Sequence, residues 1–104
     1  SITPKSKIEI KWDSRIGISN AYFFELYTDI DKDKLGWANY TEADYIFYGD
    51  SRSKYFYVFK SADMRRYLEE HKGEYETRIA SDYKRDGTVR KRALGAIVPV
   101  GKFD

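Results

Sequence analysis

The sequence predicts a mixed α/β domain, with a central β-sheet of about five strands flanked by two or three helices. Three observations lead there. Runs rich in Ile, Val, Phe and Tyr recur along the chain, and the first of them alternates apolar and charged residues with the period of a strand. Residues 61–71 break this habit and place Met64, Tyr67, Leu68 and His71 at helical spacing. Turn-forming clusters separate the runs. No repeat, low-complexity tract or Pro/Gly-rich linker divides the 104 residues, so a single domain over 1–104 is expected.

From Lys7 to Asp13 the alternation is strict. Ile8, Ile10 and Trp12 share one face; Lys7, Glu9, Lys11 and Asp13 share the other. The apolar set is expected to be buried and the charged set to line a cleft. Residues 14–19, with Gly17, read as a loop. Residues 20–27 are apolar and aromatic on both faces, as in a central strand. Residues 28–43 read as a loop and then a short helix weakened by Gly36. Residues 44–48 and 54–60 form a hairpin across the turn-rich "GDSRS".

Ser61 is placed as a helix cap and Gly73 as the stop. Arg65–Glu69 and Arg66–Glu70 are spaced for ion pairs on the exposed side, and His71 falls on the inward stripe as a packing residue. Residues 73–83 carry no decisive period. Asp86-Gly87 marks a tight turn, and 93–100 reads as a last strand whose Pro99 suits a sheet edge.

Apolar residues make up 41% of the chain and charged residues 35%, the balance of a soluble globular protein. No apolar run approaches the ~20 residues that cross a bilayer, so no membrane partner is expected, and the first residues show no apolar leader. The absence of cysteine excludes disulfides and thiolate-held metals and makes a cytoplasmic protein the expectation. His71 is the single histidine, which excludes a multi-histidine zinc site, so any metal is expected to be hard and oxygen-bound.

Net charge is +2 but unevenly spread: residues 1–50 hold six Lys/Arg against nine Asp/Glu, and residues 51–104 hold thirteen against eight. Such a division suits a metal site beside a polyanion track, and equally suits self-complementary packing. The acidic run Asp29, Asp31 and Asp33 is not a calcium loop. That pattern needs Gly at 34 and Glu at 40, where Lys34 and Tyr40 stand.

Glu9-Ile10-Lys11 is the stretch with chemical content. Residues two apart on a strand point the same way, about 6.6 Å apart. A carboxylate there can ligate a divalent ion while an ammonium reaches a water on that ion and offsets phosphate charge. An ordinary solvated strand face with a cross-strand ion pair has the same pattern. The context narrows the choice. After Gly17 come Asn20, Phe23 and Glu25 in an N-x-x-F-x-E spacing, then Gly36-Trp37, "ADYIFY" (43–48), the aromatic "YFYVF" (55–59) and a helix.

In this order of elements, over residues 7–100, the chain resembles the PD-(D/E)xK (restriction-endonuclease-like) nuclease superfamily, and most of all its phage- and virus-associated members. The close matches are Glu9/Lys11, Asn20/Glu25, Gly36/Trp37 and Ala43/Asp44/Tyr45. The resemblance implies a restriction-endonuclease-like sheet and magnesium- or manganese-dependent hydrolysis of DNA phosphodiesters. It makes Glu9 a metal ligand with the Ile10 carbonyl as a second, Lys11 the group that positions the attacking water, and Glu25 a supporting acid. It also implies a phage- or virus-encoded protein.

One part of that pattern is missing. The family carries an Asp on the strand before E-x-K and a helix before that strand, whereas eight residues precede Glu9 and none is acidic. Three arrangements accommodate this. The chain is the C-terminal part of a larger nuclease domain, or a second chain or homodimer partner supplies the missing half, or the site is inactive. Asp13 and Glu25 are the candidates to stand in for the absent carboxylate.

Arg78, Lys84, Arg85, Arg90, Lys91 and Arg92 form the densest basic cluster. A hairpin about Asp86-Gly87 gathers most of them into a track for a DNA backbone, or into a solubilising face. Tyr55 and Tyr57, placed on one face, are candidates to stack on bases, and most of the sixteen Phe and Tyr residues are assigned to the core. Two expectations compete with the nuclease: a non-catalytic nucleic-acid-binding or assembly domain, and an interaction module that offers an unpaired sheet edge to another chain.

Overall fold

The first strand, β1 (Ile8–Asp13), forms where the alternation predicts it, in a computed structural model that describes residues 2–103. It pairs in parallel with β4 (Tyr45–Asp50), and β4 pairs antiparallel with β5 (Phe56–Lys60), giving a three-stranded sheet in the order β1-β4-β5. Asp44 starts the parallel pair: its carboxylate accepts the Lys7 N–H at 2.8 Å, and its own N–H donates to the Lys7 carbonyl at 2.8 Å. The β4–β5 turn is built on Asp50, whose carboxylate accepts the Arg52 N–H and the Ser53 hydroxyl.

A second sheet is antiparallel throughout, in the order β3-β2-β7-β6. Its strands are β2 (Ala21–Asp29), β3 (Lys34–Leu35), β6 (Glu76–Tyr83) and β7 (Val89–Pro99). Among the described residues the protein is thus a mixed α/β structure with two sheets and three helices, where the sequence suggested one central sheet of about five strands. The difference arises because β2 does not continue the first sheet. It pairs with β7, from the other end of the chain.

The core lies between the sheets. Ile46, Tyr48 and Phe59 from the first sheet meet Tyr22, Phe24, Ala96 and Val98 from the second, with Ile16, Trp37, Met64 and Leu68 closing the cluster. Tyr22 stands 5.0 Å from both Tyr48 and Phe59, ring to ring, and stacks on Phe24 at 5.0 Å. Such tilted and edge-on pairs add about 0.5–1.5 kcal/mol each to plain apolar burial.

The helices depart from the sequence reading in detail. Residues 16–19, placed in a loop, form a single helical turn, α1 (Ile16–Ser19), which puts Ile16 wholly inside the core. The short helix expected within 28–43 is α2 (Trp37–Tyr40). In α3 (Ser61–Glu70) the cap position is Lys60, not Ser61. The Ser61 side chain turns away from its helix and donates to the Ala43 and Asp44 carbonyls, tying α3 to the start of β4. Arg66 pairs with Asp63 at 2.8 Å and Arg65 donates to the Thr41 carbonyl, in place of the expected pairs with Glu69 and Glu70. His71 is not inward. Its side chain is 43% exposed, lying on Tyr67 and 3.8 Å from Glu74.

Two strand assignments also change. Residues 73–83 supply β6, whose residues are exposed along its whole length. The last strand starts at Val89 rather than 93 and is interior to its sheet, with β2 on one side and β6 on the other; Pro99 only ends it. The tight turn expected at Asp86-Gly87 does form, and the Asp86 carboxylate accepts both the N–H and the hydroxyl of Thr88.

The apolar face of β1 is not buried as expected, although Lys11 and Asp13 on the charged face do line a cleft. Ile8, Ile10 and Trp12 are 43%, 54% and 54% exposed, while Glu9, Lys11 and Asp13 are half-buried on the side of the core. The period of two was right and the sign was wrong. The parallel register sets Ile8, Ile10 and Trp12 in line with Tyr45, Phe47 and Gly49, so they share the face opposite to the buried Ile46 and Tyr48. In β4 and β5 both faces are largely apolar, and the second sheet covers only one of them.

Candidate functional site

A cleft of about 820 Å³ opens beside the C-terminal end of β1. Tyr22, Phe23, Trp37 and Tyr48 give it aromatic walls. Lys11, Asp13 and Arg15 enter from the first sheet and its following turn, and Glu76 and Arg78 from β6. The strand geometry of β1 explains the grouping, since Lys11 and Asp13 project to one side by alternation.

Glu9 and Lys11 form the expected pair. Lys11 Nζ lies 3.7 Å from Glu9 Oε2, with both side chains near 30% exposed, so water reaches them. Glu9 Oε1 accepts the Thr41 hydroxyl at 3.0 Å, and the Lys11 ammonium sits 5.1 Å from the centre of the Trp37 ring. Trp37 is held by its neighbour. A side chain at Gly36 would meet the Glu25 carbonyl oxygen at 2.4 Å, so only glycine lets the α2 backbone press so closely on β2. Glu25 lies against Gly36 and is not among the residues that line the cleft, so the structure does not bring it together with Glu9 and Lys11. On β2 itself Glu25 faces away from the core-directed Phe24.

Each oxygen of Asp13 accepts one hydrogen bond. Its Oδ2 accepts the Tyr48 hydroxyl at 2.6 Å and its Oδ1 accepts the Arg15 N–H at 2.7 Å. Tyr48 in turn accepts the Phe23 N–H at 3.0 Å, so one buried hydroxyl fastens the end of β1 to the unpaired edge of β2. Burial, reinforced by the Asp13 carboxylate, pushes the Tyr48 hydroxyl far above the usual tyrosine range, and it stays a neutral donor. Tyr48→Phe is expected to cost about 1–3 kcal/mol by stranding both partners, with a fall in Tm of roughly 4–8 °C per kcal/mol. A thermal melt of the variant that overlays the wild type would refute this.

The magnesium implied by the resemblance does not fit these residues alone. Glu9 offers one carboxylate, already shared with Thr41 and Lys11, and Asp13 is bonded to Tyr48 and Arg15 and does not join Glu9 in a ligand cluster. Among the described residues no group of three or more His, Asp or Glu side chains gathers where a metal could be held. Magnesium prefers six oxygens in near-octahedral array, usually with one or two carboxylates.

The basic cluster is gathered into one hairpin, but its members differ. Arg92 makes two bonds to Asp31, at 2.6 and 3.1 Å, which hold the Asp31 carboxyl below its ordinary range. Arg78 is paired to Glu76 at 2.7 Å and Arg90 lies 3.8 Å from Asp82. Lys84, Arg85, Arg90 and Lys91 stand exposed around the turn, and Arg78 is the member that lines the cleft. Tyr57 packs against Tyr22 in the core, which leaves Tyr55, 74% exposed, as the tyrosine open to solvent in that pair.

Sequence reasoning did not single out Arg15, Thr41 or Tyr48. Tyr48 reaches the site through the parallel β1–β4 register and Thr41 from the end of α2, and neither approach leaves a local signal in the chain. By its fold the molecule belongs to the mixed α/β class, with a polar, aromatic-walled cleft where its two sheets meet. No protein-family model, curated protein or solved structure matches the chain. No helix among the described residues is long and apolar enough to cross a membrane.

Proposed function

We propose that the chain is one part of a metal-dependent DNA phosphodiesterase of restriction-endonuclease-like type, whose catalytic centre is completed by another segment or chain. The observation that carries this reading is the Glu9–Lys11 pair, which is water-accessible, on one face of β1, with Lys11 lining a cleft that Arg15 and Arg78 also enter. In this reading Glu9 and the Ile10 carbonyl contribute to holding magnesium or manganese, which supplies charge neutralisation at the phosphate. Lys11 holds a water or hydroxide by hydrogen bond and offsets phosphate charge, and Glu25 supports from beside Gly36. Arg78, Lys84, Arg85, Arg90, Lys91 and Arg92 hold the DNA backbone, which positions the duplex without reading its sequence. A phage or virus origin and a cytoplasmic setting accompany this reading.

A second reading rests on a specific observation. Asp13 is tied to Tyr48 and the Arg15 N–H, and among the described residues the carboxylates do not gather into a metal cage, as a non-catalytic nucleic-acid-binding or assembly domain would have it. Incubation of supercoiled, linear, branched and single-stranded DNA with magnesium or manganese separates the two. The nuclease reading expects feeble cutting by the chain alone and efficient cutting when a complementing acidic segment or chain is added. Binding without cutting under every such condition would leave only the second reading.

DNA binding itself is expected to be weak and steeply salt-dependent. Replacing Lys84, Arg85, Arg90 and Lys91 with Ala should flatten the slope of log K against log salt by about 0.9 for each phosphate that is no longer neutralised. Arg92→Ala should instead act mainly by releasing Asp31. An unchanged slope in the fourfold variant would remove the hairpin from the interface.

A further inference from the structure

We infer that the outer face of the first sheet is the interface of a homodimer, formed by a second copy packing sheet against sheet. This does not rest on the nuclease reading, because the face lies on the side of β1 opposite to Glu9 and Lys11 and shares only Trp12 with the lining of the cleft. Each of its three strands presents three outward positions. In rows across the sheet these are Ile8, Tyr45 and Lys60; Ile10, Phe47 and Val58; and Trp12, Gly49 and Phe56. Eight of the nine are uncharged, and Lys60 lies at a corner.

The surface is packed into a near-flat plate. Gly49 has no side chain, and a Cβ there would lie 2.8 Å from both the Trp12 and Phe56 rings, which close over it at 4.8 Å. Phe47 meets Phe56 at 6.0 Å, and Lys54 reaches over Trp12 at the rim.

Area selects the occupant. Ile8, Ile10, Trp12, Phe56 and Val58 are 40% to 54% exposed. At about 200 Å² for each side chain fully exposed, these five offer roughly 500 Å² of accessible apolar surface. A stable interface hides about 800 Å² per partner, of which about 56–65% is apolar. The plate therefore supplies close to the whole apolar share of one such interface. A nucleic acid needs a dense array of cations at its binding surface, whereas the plate has only Lys60 at a corner and Lys54 at its rim.

A second copy brings the same largely uncharged plate, so association removes both apolar centres from water with the Lys54 and Lys60 ammonium groups at the margin. Two sheets stack with strands within about 30° of alignment. A two-fold axis along the strands sets Phe47 against its own copy and Ile10 against the second copy's Val58, which is the self-complementarity that an isologous dimer requires.

The test is sedimentation equilibrium on the full chain from low micromolar to several hundred micromolar, with the single substitutions Ile10→Glu and Val58→Glu. The expected result is a dimer mass, with each substitution weakening the dimer by about a hundredfold or more, because it places uncompensated carboxylates in the interface. Both residues are half exposed in the monomer, so unchanged circular dichroism and melting of the dilute variants are expected and show that folding is intact. Arg78→Ala, on the cleft side, should leave the dimer unchanged. A monomer at all concentrations overturns the proposal, as does a dimer insensitive to both substitutions. Capture of the monomer by lipid vesicles, without self-association, overturns it too.

Discussion

Under the proposed nuclease reading, Glu9→Gln is expected to lower magnesium-dependent DNA cleavage by at least about a hundredfold, and Lys11→Ala by a comparable factor, with DNA binding little changed. The reasoning is electrostatic. Groups that act only on charge developing at the phosphate contribute to the transition state and not to ground-state binding, and loss of one such group typically costs about 10²–10³ in rate. Gln keeps an oxygen that can accept the Thr41 hydroxyl, so the site should hold its shape while losing the charge. Lys11→Ala also takes the ammonium from the Trp37 ring, so its melting curve must be read beside its rate. The measurement uses whichever assembly cuts, the chain alone or the chain with its complement. If that assembly cuts equally well with both substitutions, Glu9 and Lys11 are only the polar side of an amphipathic strand.

Phe24→Ala is expected to remove most of the protein's stability. Phe24 is fully buried, and its ring lies within 5.0–6.3 Å of the rings of Tyr22, Trp37, Tyr48, Phe59 and Phe103. Deleting a buried phenyl costs about 3–5 kcal/mol through lost transfer energy and the cavity left behind. A domain of this size has in all about 5–15 kcal/mol. At roughly 4–8 °C per kcal/mol, the midpoint should fall by well over 10 °C. Phe24→Leu, which refills most of the space, should lose less. A Phe24→Ala midpoint within a few degrees of wild type would mean that the core between the sheets is not the one described.

Local patterns were legible in the sequence, and partnership between distant segments was not. The β4–β5 hairpin, the Asp86-Gly87 turn and the helix around Met64 and Leu68 all rest on residues near one another in the chain, and all form. Alternation along β1 grouped Glu9 with Lys11 correctly, yet could not say which face is covered, since Tyr45 and Phe47 are as apolar as Ile46 and Tyr48. That is decided by the β2–β7 pair, which joins Tyr22 to Val98 and leaves no mark in either segment. The basic cluster could be counted, but its neutralisation could not. Arg92 finds Asp31 only because Ile30 donates its N–H to the Arg92 carbonyl, at the far end of the same sheet.

The interior place of β7 also fixes the order in which the molecule can assemble. During synthesis β2 emerges early, yet its hydrogen-bonding neighbour along most of its length is the last strand of the chain. The strand that carries Tyr22 and Phe24 therefore lacks its main hydrogen-bonding neighbour until residues 89–99 have left the ribosome. Pairing across so long a loop is slow, because closure entropy is spent before any native pairing returns it. The hairpin of β4 and β5 with α3 can collapse first, as a nascent half on which the second sheet is laid once β7 threads between β2 and β6. Ribosome-bound chains halted before Val89 should then show protection in β4 and β5 but none in β2, and they would be the species most exposed to aggregation.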